Sequence, residues 1–430
     1  MGKKVSRQND KIKYSELSSF NTPFYLYDFD KVERNISKLK NNFDPDDLRI
    51  FYSVKTNDHP VLLKFLKEKG LYAEVVSGLE LELARNTGFE KILFNGPAKT
   101  SDELRQATEG GGTTVIIDNL SEFTRLQKFA NAGTEIGLRL DLSGVGYHKF
   151  GMNKKDLMKA LDMVSEDKKL VLAGLHFHAG SFIQHARYYR HIFNNLMSLM
   201  EEVPPHYFDN LEFLDIGGGI PCENKVKRSF MERALENYSY KYHFIDRWLL
   251  KKERQYVRRA ESFKTDNYLE EYAVIVNDNI KKLQELLKKN ISLYMEPGTA
   301  IVGDAVEVYS EVVTKKHNKI LIDVSRDIER GRNCYWHPVY NITNPSEDVQ
   351  TEYIFGPVCA PDDMFTRCYV GQRLEEGDRV KICGMGAYSF SYHSSFTQPQ
   401  PAVVVKKRDS IEKVTDIETF SDKYRRNTVN

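Results

Sequence analysis

The sequence predicts an α/β fold: a parallel (β/α)8 barrel of the TIM type joined to a C-terminal, mostly β domain. Two observations carry this. From Ile50 onward, eight short β-prone apolar segments recur with helical patterns in most of the gaps. Alternating βα units imply parallel strands joined by crossover helices, and eight over about 250 residues suit a closed barrel. After about residue 303 the pattern changes, with β-rich segments and few helical periodicities. An open doubly wound sheet is the alternative for the first part.

The elements follow in order. Residues 1–20 are polar and read as a flexible N-terminus. The stretch from Thr22 to Asp28, TPFYLYD, is aromatic and β-prone. A helix pattern follows, with Val32, Ile36 and Leu39 on one stripe. Residues 21–40 are expected to place a strand in the β domain. The barrel is assigned to 41–303. Its predicted strands are 50–54, 72–76, 91–94, 114–117, 136–140, 170–176, 211–216 and 291–295. Predicted helices at 61–69, 78–86, 101–107 and 121–131 fill the early gaps; Gly70 is a favourable residue just past the first of them. Residues 222–265 are an elaborated insertion, charged and aromatic, with KKERQYVRRAESFK at 251–264. It reads as a solvated βα connection, with a substrate lid or a partner-binding surface as the alternative. Residues 304–430 form the β domain, with β-rich stretches at 306–314, 319–324, 379–383 and 402–405.

Composition narrows the function. The 430-residue chain is 41% hydrophobic and 29% charged, which excludes a disordered or collagen-like protein. Sixty-two basic and 61 acidic residues leave a net charge of +1, so no basic field exists to hold nucleic acid. No apolar run reaches the roughly 18 to 20 residues of a membrane span. The start, MGKKVSRQNDK, lacks a secretory apolar core. It does match the short acceptor pattern for myristoylation at Gly2, but one acyl chain would anchor only marginally. Five scattered cysteines without a CxxC pair point to reduced thiols in a cytoplasmic protein and away from a zinc site.

Several residues stand where barrel chemistry would lie, at the C-terminal ends of strands. Lys55 ends the first barrel strand. A lysine desolvated there is a candidate nucleophile, although alone it reads as an ordinary strand-end lysine. In LHFHAGS, His176 and His178 share one face. They could be a metal pair, but no third ligand lies near in sequence. One could instead be a hydrogen-bonded core residue, or an imidazole laid flat against a cofactor. DIGGGIP places Gly217, Gly218 and Gly219 directly after a strand, where bare backbone can approach a phosphate. Glu296, in EPG, could pair with a cationic nitrogen. GPVC and GAY are turns in isolation.

Taken in order, TPFYLYD, YSVKTN, GLHFHAGS, DIGGGIP, EPG, GPVC and GAY resemble the fold type III pyridoxal 5'-phosphate (PLP) decarboxylases, the ornithine, arginine and diaminopimelate decarboxylase family. The resemblance spans Thr22 to about Thr397. It implies a PLP-binding barrel with a β domain, and a homodimer with shared active sites. It implies that Lys55 carries PLP as an imine and that His178 stacks on its ring. Ser181, Gly217, Gly218, Gly219 and Tyr388 would hold the phosphate. Glu296 would keep the ring nitrogen protonated, with Gly298 beside it, and Glu74 would stand where the family usually has aspartate. Cys359 of the neighbouring subunit would protonate the product. No metal is implied.

The departures bear on substrate. The family motif EPGR has Thr299 in place of arginine here. A second family arginine, in RPxLY, is absent from Trp336-His337-Pro338-Val339-Tyr340. Both arginines meet the distal carboxylate in diaminopimelate decarboxylases. Ala360 replaces an acidic residue after the cysteine, while Asp363 matches a later aspartate and could hold a distal ammonium. Arg326, Arg330 or Arg332 could restore a lost charge. The expected reaction is PLP-dependent decarboxylation of a basic or modified amino acid. Alternatives are diaminopimelate itself, a racemase on this fold, or a non-catalytic homologue.

Overall fold

The computed structural model describes residues 14–43, 48–143, 149–239, 241–262, 265–329 and 334–425. Gly2, Arg330 and Arg332 lie outside these residues.

Strand β1, Phe24–Asp28, precedes the barrel. Eight strands then close into a parallel ring: β2 (Leu48–Ser53), β3 (Tyr72–Val75), β4 (Ile92–Phe94), β5 (Thr113–Ile117), β6 (Thr134–Arg139), β7 (Leu170–His176), β8 (Phe213–Asp215) and, after the short β9 (Val226–Lys227), β10 (Ser292–Met295). β10 pairs with both β8 and β2, so the ring has no free edge. The open-sheet alternative is thereby excluded. Within the ring Phe51, Leu93, Ile116, Ala173 and Phe213 form a buried apolar cluster. Two mid-strand glycines make room for it. A methyl at Gly174 would sit 2.0 Å from the Phe213 ring, and one at Gly137 would meet Ile116 at 2.5 Å.

The crossover helices have local causes. Pro60–Glu68 starts with proline, whose missing N–H is no loss in the first turn. Ser101–Thr108 opens with a Thr100/Glu103 capping box. Leu120–Leu126 begins at its Asn119 cap and is shorter than the periodicity predicts.

The second body is an 11-stranded sheet. β1 lies inside it, antiparallel to β11 (Val306–Lys316) and parallel to the strand Ala402–Lys407. The following helix, Phe29–Lys40, is capped by Asp28 and buries Val32, Ile36 and Leu39. The N-terminal reading needs revision: residues 14–17 are helical, and Leu17 packs in a cluster with Phe24, Leu26 and Tyr309.

The insertion also differs from a purely solvated connection. It forms helices Phe230–Ser239 and His243–Ser262 before the long helix Thr265–Leu287. Arg367, 1% exposed, binds Glu236 (2.7 Å), Asp246 (2.8 Å) and Glu253 (2.7 Å) and so fastens the insertion to the sheet. Charges in the segment that read as solvated are in part these buried partners.

Candidate active site

The C-terminal ends of the barrel strands gather the candidate residues. Lys55 lies in a 3-10 turn, Val54–Thr56, directly after β2. Its Nζ is 2.6 Å from Glu74 Oε2, and Glu74 is 1% exposed on β3. Ser53 Oγ donates to the same Glu74 oxygen at 2.5 Å. Burial alone would lower the Lys55 amine, but the Glu74 and Glu296 carboxylates outweigh it and raise the pKa. Even so, 37% of the Lys55 side chain remains accessible, because it opens into the barrel mouth.

On the other side of the mouth a polar cluster surrounds Glu296. Asn95 Nδ2 donates to its Oε1 at 2.5 Å, and His176 Nε2 lies 3.4 Å from the same oxygen. Burial would raise the Glu296 carboxyl; His176 and Lys55 outweigh that and hold it below the usual range. Asp215 is driven the opposite way, by burial and then by the negative charge of Glu296. The two carboxyls of the pair are therefore pushed in opposite directions. Among the described residues, His176, Asp215 and Glu296 put ligand-type atoms within 4.8 Å of one another. Sequence spacing missed this convergence, because the C-terminal ends of three different strands supply the three groups.

The glycine loop after β8 threads between these parts. A methyl at Gly218 would fall 2.4 Å from the Glu296 carbonyl oxygen, and one at Gly219 would fall 2.2 Å from that of Gly180. Gly217 N–H donates to Asp215 Oδ1 at 2.8 Å. Gly218 N–H approaches His178 Nδ1 at 3.3 Å. His178 and Ser181 are both exposed in the loop after β7. Desolvation lowers the pKa of the His178 ring; the Glu296 carboxylate pulls the other way, and Arg139 and Lys55 lower it further.

The C-terminal body completes the rim. Tyr388 has a left-handed φ of 59°, and its N–H donates to Thr56 O at 2.8 Å. Such a conformation in a non-glycine residue is held by its surroundings. Ser391 Oγ donates to Lys55 O at 3.0 Å, and Asn57 Nδ2 to Gly386 O at 3.0 Å. Gly298 packs so tightly on Thr56 that an added methyl would overlap its Oγ1 at 1.9 Å. Thr299 follows at the start of the turn Thr299–Val302.

Other predicted residues lie apart. Cys359 and Ala360 are in the loop between strands Tyr353–Phe355 and Met364–Thr366. Cys359 is exposed and makes no hydrogen bond or ion pair to the Lys55 cluster among the described residues. Tyr340 sits on the strand Val339–Asn341, with Lys381 Nζ 5.7 Å from its ring centre. Asp363 corrects an expectation. It is 1% exposed, and it accepts from Arg326 N–H (2.7 Å), Val358 N–H (2.8 Å) and Ser325 Oγ (3.3 Å). Asp363 shapes its loop and is not presented to a substrate ammonium. Arg326 is likewise engaged with Glu329 (3.0 Å) and Met364 O (2.7 Å), so it does not restore a lost charge.

Residues 29–246, half the chain, match the model of the pyridoxal-dependent decarboxylase family, pyridoxal binding domain. The chain belongs to this family. It is a PLP-dependent carboxy-lyase of the fold type III group. A diaminopimelate decarboxylase from Methanothermobacter thermautotrophicus is 26% identical over 434 residues, covering 94% of this chain and 91% of that one. An L-glutamyl-(BtrI acyl-carrier protein) decarboxylase from Niallia circulans is 24% identical, covering 94% and 93%. The solved diaminopimelate decarboxylase of M. jannaschii superposes with a TM-score of 0.81 at 20% identity, covering 97% of this chain and 94% of that one.

The residues at the mouth fit PLP. Thr56 Oγ1, Asn95 Oδ1, His176 Nδ1 and Asp215 Oδ2 are buried polar atoms with no hydrogen-bond partner among the described residues. An accessible amine, an ionised carboxylate and a glycine cradle face one opening, as an aldehyde, a pyridinium and a phosphate require. Sequence reasoning missed Asn95, whose only signal was a polar residue just past the end of β4. A separate cleft of about 380 Å³, lined by Arg85, Phe89 and Gly110–Gly112, lies at the N-terminal ends of the strands, away from this chemistry.

Proposed function

We propose that this pyridoxal-dependent decarboxylase removes the α-carboxylate of a basic or conjugated amino acid, with Lys55 as the residue that carries the cofactor. Lys55 supports this reading best: it is the accessible amine at the barrel mouth, with carboxylates on two sides. When bound, PLP supplies an electron sink for the pair left at Cα as CO2 departs. Glu296, whose carboxyl His176 and Lys55 hold below the usual range, would keep the ring nitrogen protonated. Asn95 orients that carboxylate. His178 would cover the ring. Gly217, Gly218, Gly219, Ser181 and Tyr388 would hold the phosphate. Glu74 fixes the Lys55 amine in position.

Cys359 is proposed as the proton donor to the product carbon. Its exposed loop in the isolated chain supports donation across a homodimer interface. Unpaired cysteines among the described residues support a reducing, cytoplasmic setting, and none of the described helices is long and apolar enough to cross a membrane.

For the substrate, Thr299 and Ala360 remove charges from the positions that would grip a short distal group. His337 is occupied by Glu329 (2.8 Å) and Cys383 O (2.8 Å), and Trp336 Nε1 by Thr366 Oγ1 (3.0 Å), so the WHPVY segment presents no replacement cation. A distal group joined to a larger conjugate fits these truncations better than a free carboxylate. The relative named for a carrier-bound glutamyl substrate supports this direction. CO2 release by the purified holoenzyme from free lysine, ornithine, diaminopimelate and amide-linked amino acid conjugates tests it. Turnover is expected to favour the conjugates; preference for free diaminopimelate overturns the substrate assignment and leaves the chemistry standing.

A further inference from the structure

The insertion encloses a second concave site that the decarboxylation chemistry does not use. A cavity of about 540 Å³ lies between β9 and the helices Phe230–Ser239 and His243–Ser262. Its wall carries Lys227, Arg228, Arg233, Lys252 and Arg259, against the single carboxylate of Glu232. Glu232 is already engaged, accepting from Ser229 N–H at 2.6 Å and from the Tyr256 hydroxyl. The Arg228 side chain is 4% exposed and pairs with Glu236 on the far side. Yet the Nε atoms of Arg228 and Arg233 are buried with no hydrogen-bond partner among the described residues. A buried guanidinium N–H without an acceptor is unfavourable, and so are like charges crowded around one void. An anion in the cavity offsets the crowded positive charge.

The cavity adjoins the active site. β9 pairs with Tyr335–Trp336, and the Tyr335 ring packs edge-on against Phe182 at 5.4 Å. Lys225, just before β9, donates to Ala387 O at 3.2 Å, one residue from Tyr388. Arg259 donates to Gln184, three residues beyond Ser181. Phe230, 79% exposed, offers an apolar surface at the rim.

We propose that this cavity binds a phosphoanion, a phosphate or pyrophosphate group held by the arginine forks, which match phosphate geometry. The group is either the far end of a conjugated substrate or a separate small anion. The first source rests on the substrate reading above, whereas the site itself does not.

Calorimetric titration of the PLP-loaded enzyme with inorganic phosphate and with inorganic pyrophosphate, at low ionic strength, tests the site. Saturable binding is expected, tighter for pyrophosphate. Arg233→Gln and Lys252→Gln should each weaken it about tenfold or more, the usual worth of a charge-assisted contact. Lys251→Gln, outside the cavity wall, should leave it unchanged, and the cofactor absorbance should be unaltered in all three. Absence of saturable binding, or equal affinity in all variants, overturns the proposal. Kinetics with the best substrate then name the source. Pyrophosphate that raises KM at constant kcat places the anion on the substrate; pyrophosphate that changes kcat at constant KM identifies a separate ligand.

Discussion

Asp215 and Glu296 are buried carboxyls a few ångströms apart whose pKa values move in opposite directions. A carboxyl with a raised folded pKa favours the fold while protonated. Its contribution is full below the unfolded value of about 3.9 and is lost as pH climbs through the raised value. Asp215→Asn keeps the neutral form at every pH. The gap in Tm between variant and wild type should therefore move in the variant's favour from about pH 4 upward; a constant gap in thermal melts would argue against a raised Asp215 pKa. At the substrate end, two lost arginine–carboxylate pairs at roughly 1.5 to 3 kcal/mol each predict kcat/KM for meso-diaminopimelate at least about 10²-fold below the best substrate. Steady-state kinetics decide that. The residues with chemistry were largely legible, because lysine, glutamate and glycine stood at strand ends. Asp363 was misjudged because its chain position does not reveal that backbone N–H groups and Ser325 already claim its oxygens.

The glycine loop and the insertion show what each element contributes. Gly218→Ala would drive a methyl into the Glu296 carbonyl, with no flexible side chain able to yield. The expected result is weaker PLP binding, about tenfold or more, at a stability cost of about 1 to 3 kcal/mol. Retained cofactor affinity in absorbance titrations would show that the loop does not set the position of Glu296. Arg367 is a sharper case. Removing one partner from a buried ion network leaves charges uncompensated, at about 3 to 5 kcal/mol. Arg367→Met should destabilise by that order in urea unfolding, and Glu253→Gln in the same background should add less than its own effect. The barrel strands were readable from periodicity. The fastening of the insertion was not, because a charged run with helical spacing reads as solvated until its partner, over a hundred residues later, is brought alongside.

At the scale of the whole molecule, a β domain built from both ends of the chain brings Tyr388 and Ser391 against the backbone of Lys55 and Thr56. The strand alternation announced the barrel, and the β-rich tail announced a second body. The docking between them was visible only through the family motifs. The Cys359 proposal extends this logic to a second subunit. Mixing inactive Lys55→Ala with inactive Cys359→Ala chains should restore partial activity, since one hybrid site is intact; no recovery despite demonstrated subunit exchange would place the proton donor within one chain. The central claim is that Lys55 carries the cofactor at the barrel mouth, and peptide mass mapping after borohydride reduction of the holoenzyme tests it most directly. The account predicts a single pyridoxyl phosphate adduct, on Lys55. An adduct on another lysine, with Lys55 unmodified, would contradict it.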